Sequence, residues 1–141
     1  MQFLKTDYSH ISFFFWNRAE TQEFPYECTL NQGVTFTGRR LWHERNLVVF
    51  SKHFYLEESQ NDDFLERAMD RCGTEYSNLQ NLGTWLATVF ALTKNVFGNG
   101  ADASNCSELI YTFRDMLGFT LDKSPDLVTP RDIVEALRRL P

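Results

Sequence analysis

Cysteine is scarce in this chain: three among 141 residues, at positions 28, 72 and 106. Their spacing fits no metal-ligand pattern, and an odd number completes no disulfide framework. No metal and no cofactor is expected. A reducing compartment follows as the simplest setting, either the cytoplasm or the interior of a virus particle. Long apolar runs are missing too, since no stretch approaches the roughly 20 residues that span a bilayer as a helix. The greasiest run, Ile11 to Trp16, ends at Asn17-Arg18 with no small-residue cleavage site, so no secretory signal is expected. Positive charge is the third deficit. Fourteen Lys and Arg face nineteen Asp and Glu, a formal net charge of −5. No basic stripe is left to displace counterions, so duplex nucleic acid is not an expected partner. Arg39-Arg40 and Arg138-Arg139 are the paired cations, and neither takes a role. Repeats, low-complexity tracts and interdomain linkers are absent as well.

What the chain does have is apolar bulk. Hydrophobic residues make up 43% and aromatics 15%, thirteen of them Phe. That composition suits one folded domain over 1–141, not a disordered chain. The first half reads as strands. Ser9 to Trp16 is β-rich and mostly apolar, and Tyr26 to Leu30 follows it. Asn31-Gln32-Gly33 supplies a turn into Val34 to Thr37, closed by Gly38. Leu47 to Leu56 alternates over ten residues and is expected as the longest strand.

The second half reads as helices. Asn61 to Cys72 opens on Asn and two Asp and stops at Gly73. Leu79 to Val96 carries Leu82, Leu86, Val89, Phe90, Thr93 and Phe97 on one expected apolar face, ended by Gly98. A further helix runs from Cys106 to about Leu117, with Gly118 as its C-terminal cap. The last helix starts at Thr129-Pro130, with Asp132 closing a capping box and Ile133, Val134, Leu137 and Leu140 facing inward. Strands followed by helices give an α+β fold: a small antiparallel sheet from the N-terminal half packed against helices from the C-terminal half.

Ser104-Asn105-Cys106-Ser107-Glu108-Leu109 carries the sharpest chemistry. Ser104 or Asn105 can cap the helix, with Glu108 three residues after Asn105. Orphan N–H groups and the positive end of the helix dipole would then face the Cys106 sulfur and favour thiolate, the nucleophilic form. The same apolar stripe equally admits Cys106 as a small buried hydrophobe. A nucleophilic cysteine needs a base, and the base an orienting partner. His10 opens a strand whose remainder is apolar, and Glu27 lies on the next strand, where its carboxylate could fix the imidazole tautomer. His53 is the rival base, with Ser51 and Tyr55 on its face. His43, beside Glu44 and Arg45, reads as a loop residue.

A Ser-His pair opening an apolar strand, followed far downstream by an Asn-Cys-Ser-Glu-Leu helix start, resembles the circularly permuted papain-like cysteine peptidases. These are permuted relatives of NlpC-type cell-wall amidases, with the YiiX-like group the nearest in pattern. Glu27 before the Gly33-Val34 turn, Ala68 to Tyr76 running into a Gly73-Thr74-Glu75-Tyr76 corner, and Thr129-Pro130-Arg131-Asp132 agree with it. The resemblance spans roughly Tyr8 to Leu137 on short motifs. It implies a single permuted papain-like domain and a hydrolase acting on an amide or isopeptide bond, a cell-wall peptide among the options, in a phage or bacterial setting. It matches Cys106 to the nucleophile, His10 to the general base and Glu27 to the orienting residue. The oxyanion would meet the Cys106 N–H and a side-chain donor, Asn105 or Tyr76. In one respect the chain departs from the family: the strand with a Gly-Asp that usually precedes the histidine strand is missing. Either Gln2 to Lys5 form a shortened substitute or the site is more open.

Two other functions share these features. Lecithin:retinol acyltransferase relatives have the same permuted order and act on lipid acyl groups as thioesterases or acyltransferases. A non-catalytic interaction module could keep the scaffold without the chemistry. The sequence names no partner protein.

Overall fold

A turn rich in Asn, Gln and Gly sets the register of the sheet. The computed structural model describes residues 9–16, 22–95 and 103–141. Three strands, β1 (Phe13–Trp16), β2 (Glu23–Thr29) and β3 (Gly33–Phe36), form an antiparallel sheet in the order β1-β2-β3. Phe13 stands opposite Tyr26 and Trp16 opposite Glu23, while Glu27 faces Thr35 and Cys28 faces Val34. Around the sheet come α1 (Arg39–Arg45), α2 (Glu58–Asp70), α3 (Asn78–Val89), α4 (Cys106–Tyr111), α5 (Arg114–Leu117) and α6 (Pro130–Arg138). Two short strands, β4 (Glu75–Tyr76) and β5 (Ala103–Ser104), pair in parallel. The architecture is mixed α+β, sheet first and helices after.

Strand β2 is buried on both faces, with α1 and α4 both packed against it. Alternation sends Tyr26 and Cys28 one way and Pro25 and Glu27 the other. Tyr26 joins an aromatic core in which Phe64 and Phe113 stack at 4.4 Å and Phe13 meets both edge-on at 5.0 and 5.2 Å. Each such ring pair contributes about 0.5–1.5 kcal/mol beyond its buried area. On the opposite face Trp42 of α1 meets Phe14 edge-on at 4.5 Å.

Gly33 is where the sheet meets the helical half. Its φ is +64°, and a Cβ there would lie 2.2 Å from the Thr74 carbonyl oxygen. Free of that atom, the Gly73-Thr74 corner docks on β3: Val34 N–H donates to Thr74 O and Gly73 N–H to Val34 O, both at 2.8 Å. The corner leads into β4, whose Tyr76 stands opposite Ser104, two residues before Cys106. One glycine thereby registers the sheet against the start of the cysteine helix.

Caps read from sequence are present. Asn105 accepts the N–H of Glu108 at 2.9 Å, Gly118 takes a left-handed φ of 74°, and Thr129 and Asp132 close a capping box around Pro130.

Four expectations fail. Leu47 to Leu56 is extended but pairs with no strand among the described residues. It lies as a strap instead: Phe50, Phe54 and Leu56 pack on the core, and Lys52 donates to the Leu140 and Pro141 carbonyls at 2.9 and 3.0 Å. Alternation records an extended chain with one side turned inward, and a ladder is not required for that. Residues 39–45 form a helix, so His43 is helical and not in a loop. Helix α3 stops at Val89 and leaves Leu82, Val89 and Phe90 exposed. It packs through small residues: Gly83 is buried against Asn95, which bonds Thr84 and Asp126, and Ala87 is buried one turn on. The expected Phe97 and Gly98 end, like Gln2 to Lys5, lies outside the described residues. Finally, the cysteine helix breaks between α4 and α5, where the Thr112 hydroxyl donates to Leu109 O at 2.6 Å and competes with the helical ladder. Among the described residues, no helix is long and apolar enough to cross a membrane.

Candidate active site

Cys106 opens α4, and the residues on either side hold it there. Asn105 Oδ1 takes the Glu108 N–H. Ser107 Oγ lies 2.7 Å from Val128 O and 2.9 Å from Asn105 Oδ1, so its one proton is shared between two acceptors. Asn105 and Ser107 are buried, and Cys106 is 8% exposed. Asn105, expected as an oxyanion donor, serves through its side-chain oxygen as the helix cap.

His10 sits three residues before β1 with its side chain 23% exposed. Its Nε2 lies 2.6 Å from Glu27 Oε2. The second carboxylate oxygen, Oε1, accepts from Thr37 Oγ1, also at 2.6 Å. Glu27 is 2% exposed, so each of its oxygens meets a donor away from water. The Trp42 indole N–H completes no hydrogen bond of its own, yet stands near enough to help hold Glu27 charged. Burial alone would push the Glu27 carboxyl up. Hydrogen bonds from His10 and Thr37, with the His10 charge, outweigh burial and hold it below its ordinary value.

The opposite balance applies to the imidazole. Burial would lower the His10 pKa, but hydrogen bonds with Cys106 and Glu27, and then their charges, raise it to about 9. Residues 10, 27 and 106, singled out in sequence, therefore lie close together, with the imidazole bonded to the carboxylate and acted on by the thiol. Burial, reinforced by the charges of Cys106 and Glu108, pushes the Cys28 thiol up to about 12, and burial raises Cys72 as well.

The rival histidines lie elsewhere. His53 is exposed on the strap. His43 pairs with Glu23, which also accepts from Arg39 at 2.8 Å. Among the described residues no group of His, Cys, Asp and Glu could hold a metal ion.

A cavity of about 210 Å³ opens beside the pair, lined by His10, Glu27, Cys28, Thr29, Leu30, Arg45, Asn46 and Tyr76. Tyr76, the second donor expected from sequence, is in its wall. Cys106 is not. Sequence reasoning missed Thr37, Trp42 and Arg45. Thr37 had a signal: the turn at Asn31-Gln32-Gly33 sets Thr35 opposite Glu27, which puts Thr37 on the same face as its diagonal neighbour. Trp42 and Arg45 had none, because Arg39–Arg45 forms a helix without a side-chain cap to announce it.

No family model, no curated protein and no solved structure matches this chain.

Proposed function

We propose that the chain is a cysteine-dependent hydrolase of an amide or isopeptide bond, built on a permuted papain-like plan, with Cys106, His10 and Glu27 as its working residues. One observation carries this reading: a half-buried imidazole bonded at 2.6 Å to a buried carboxylate, with a thiol from 96 positions further along the chain near enough to act on its titration. A thiol buried only for its bulk needs neither partner.

In this reading His10 takes the proton of Cys106, and the sulfur attacks the amide carbonyl carbon. The Cys106 backbone N–H, an orphan donor at the helix start, meets the developing oxyanion. The imidazolium then protonates the departing amine, leaving a thioester. Water, deprotonated by His10, releases the acid and restores the thiol. Glu27 fixes the ring through Nε2 and offsets its charge, while Thr37 holds Glu27 in place. The site's 210 Å³ cavity suits a short peptide amide better than a lipid acyl chain, which weighs against the acyltransferase reading. A working thiol needs a reducing compartment, so the cytoplasm or a virus particle is the proposed location.

Alkylation by iodoacetamide at pH 6, mapped by mass spectrometry, tests the reading. Cys106 should react fast while Cys28 and Cys72 stay slow, and His10→Ala should remove the difference. Equal sluggishness of all three cysteines would leave the non-catalytic module as the better description.

A further inference from the structure

Arg45 is the odd cation of helix α1. Arg39 pairs with Glu23 at 2.8 Å and Arg40 with Glu44 at 3.5 Å. Arg45 makes no hydrogen bond or ion pair among the described residues, yet its side chain lines the cavity beside His10. Arg45 is exposed and its guanidinium hydrated, so an acceptor entering the cavity would meet a donor group that no atom of the described residues holds.

Charge in the cavity points the same way. Glu27 is negative and engaged by His10 and Thr37, while His10 and Arg45 are positive, so these three leave a single positive charge. At about 210 Å³ the space falls below the roughly 300–1,000 Å³ of ordinary small-molecule sites, which suits one residue of a peptide.

We propose that this cavity is a specificity subsite for a carboxylate on the residue adjoining the scissile amide, read by Arg45. The inference rests on the hydrolase reading and deepens it to amide substrates carrying a free carboxylate. Arginine's planar fork binds carboxylate through two parallel N–H bonds. A phosphate dianion would meet more repulsion from Glu27 in the same wall, which favours the monoanion.

Two alkylating reagents of nearly equal size separate the possibilities. Iodoacetate carries a carboxylate and iodoacetamide does not. In both reactions the Cys106 sulfur forms a bond to carbon as iodide leaves. The quantity to read is the iodoacetate-to-iodoacetamide rate ratio at Cys106, referenced to the same ratio at Cys72. It should exceed one in the parent and fall about threefold in Arg45→Gln, the range of one partly exposed charge pair. Arg45→Lys should keep most of the ratio, Arg40→Gln should leave it unchanged, and added salt should shrink it. A ratio indifferent to Arg45→Gln, with Cys106 still quick toward iodoacetamide, would overturn the subsite and spare the nucleophile. A Cys106 slow toward both reagents in the parent would overturn the hydrolase reading and the subsite together.

Discussion

His10 Nε2 and Glu27 Oε2 stand 2.6 Å apart, one on the approach to β1 and the other at the centre of β2. The bond ties the first described stretch of chain to a strand buried on both faces, so imidazole orientation and sheet packing are one arrangement. Replacing Glu27 by Ala strips His10 and Thr37 of a shared partner. Denaturant unfolding should show a loss of about 2–3 kcal/mol, somewhat under the cost of breaking a fully buried pair. Glu27→Gln retains the size and one acceptor, so alkylation and turnover should fall less than in Glu27→Ala. Equal activity of Glu27→Ala and parent would remove Glu27 from the site.

The same pair sets a pH window for stability. The folded His10 pKa is raised to about 9, so its stabilisation is complete below the unfolded value near 6.5 and is lost as pH climbs through 9. Glu27 is lowered, so its contribution is complete above the unfolded value near 4.5 and is lost on acidification below that. Unfolding free energy should therefore be highest between about pH 5 and 6.5 and decline toward pH 9, by at most about 3 kcal/mol from His10. In His10→Ala the alkaline decline should flatten. An undiminished decline in that variant would assign it to other groups.

Gly33→Ala tests the joint between sheet and cysteine helix. The new Cβ meets the Thr74 carbonyl, and the left-handed φ adds its own strain. A loss of at least about 2 kcal/mol is expected by urea titration. Alkylation of Cys106 should slow as well, because the same corner registers β4 against β5. Unchanged stability would mean that the corner relaxes without cost.

Thr129→Ala removes one half of the capping box at the start of α6. About 1 kcal/mol should be lost in thermal or denaturant unfolding, with Cys106 reactivity unaffected. The Asp132 carboxylate keeps its bond with Lys123 at 2.7 Å, which limits the damage.

These positions also show which parts of the fold sequence could reveal. Asn105 with Glu108, Gly118, and Thr129-Pro130-Asp132 act on backbone within one helical turn, so local spacing was enough. The hairpin at Asn31-Gln32-Gly33 was legible for the same reason. The strap at Leu47 to Leu56 was not, because alternation marks an inward side and says nothing of who, if anyone, pairs with the backbone. Helix α3 misled in another way: its large apolar residues suggested the buried face, while Gly83 and Ala87 took the close contact. At the site, His10, Glu27 and Cys106 stood out by residue type and placement. Thr37 was recoverable from hairpin register, but Trp42 and Arg45 depended on a seven-residue helix whose sequence, RRLWHER, gave no cap signal.

The meeting of His10 with Cys106 can be watched directly by following the His10 ring in an NMR pH titration of the parent and of Cys106→Ala. The expected midpoint is about 9 in the parent, moving clearly downward when the thiol is removed, with the fold unchanged. A ring that titrates near 6.5 in both proteins would contradict the pairing and with it the proposed chemistry.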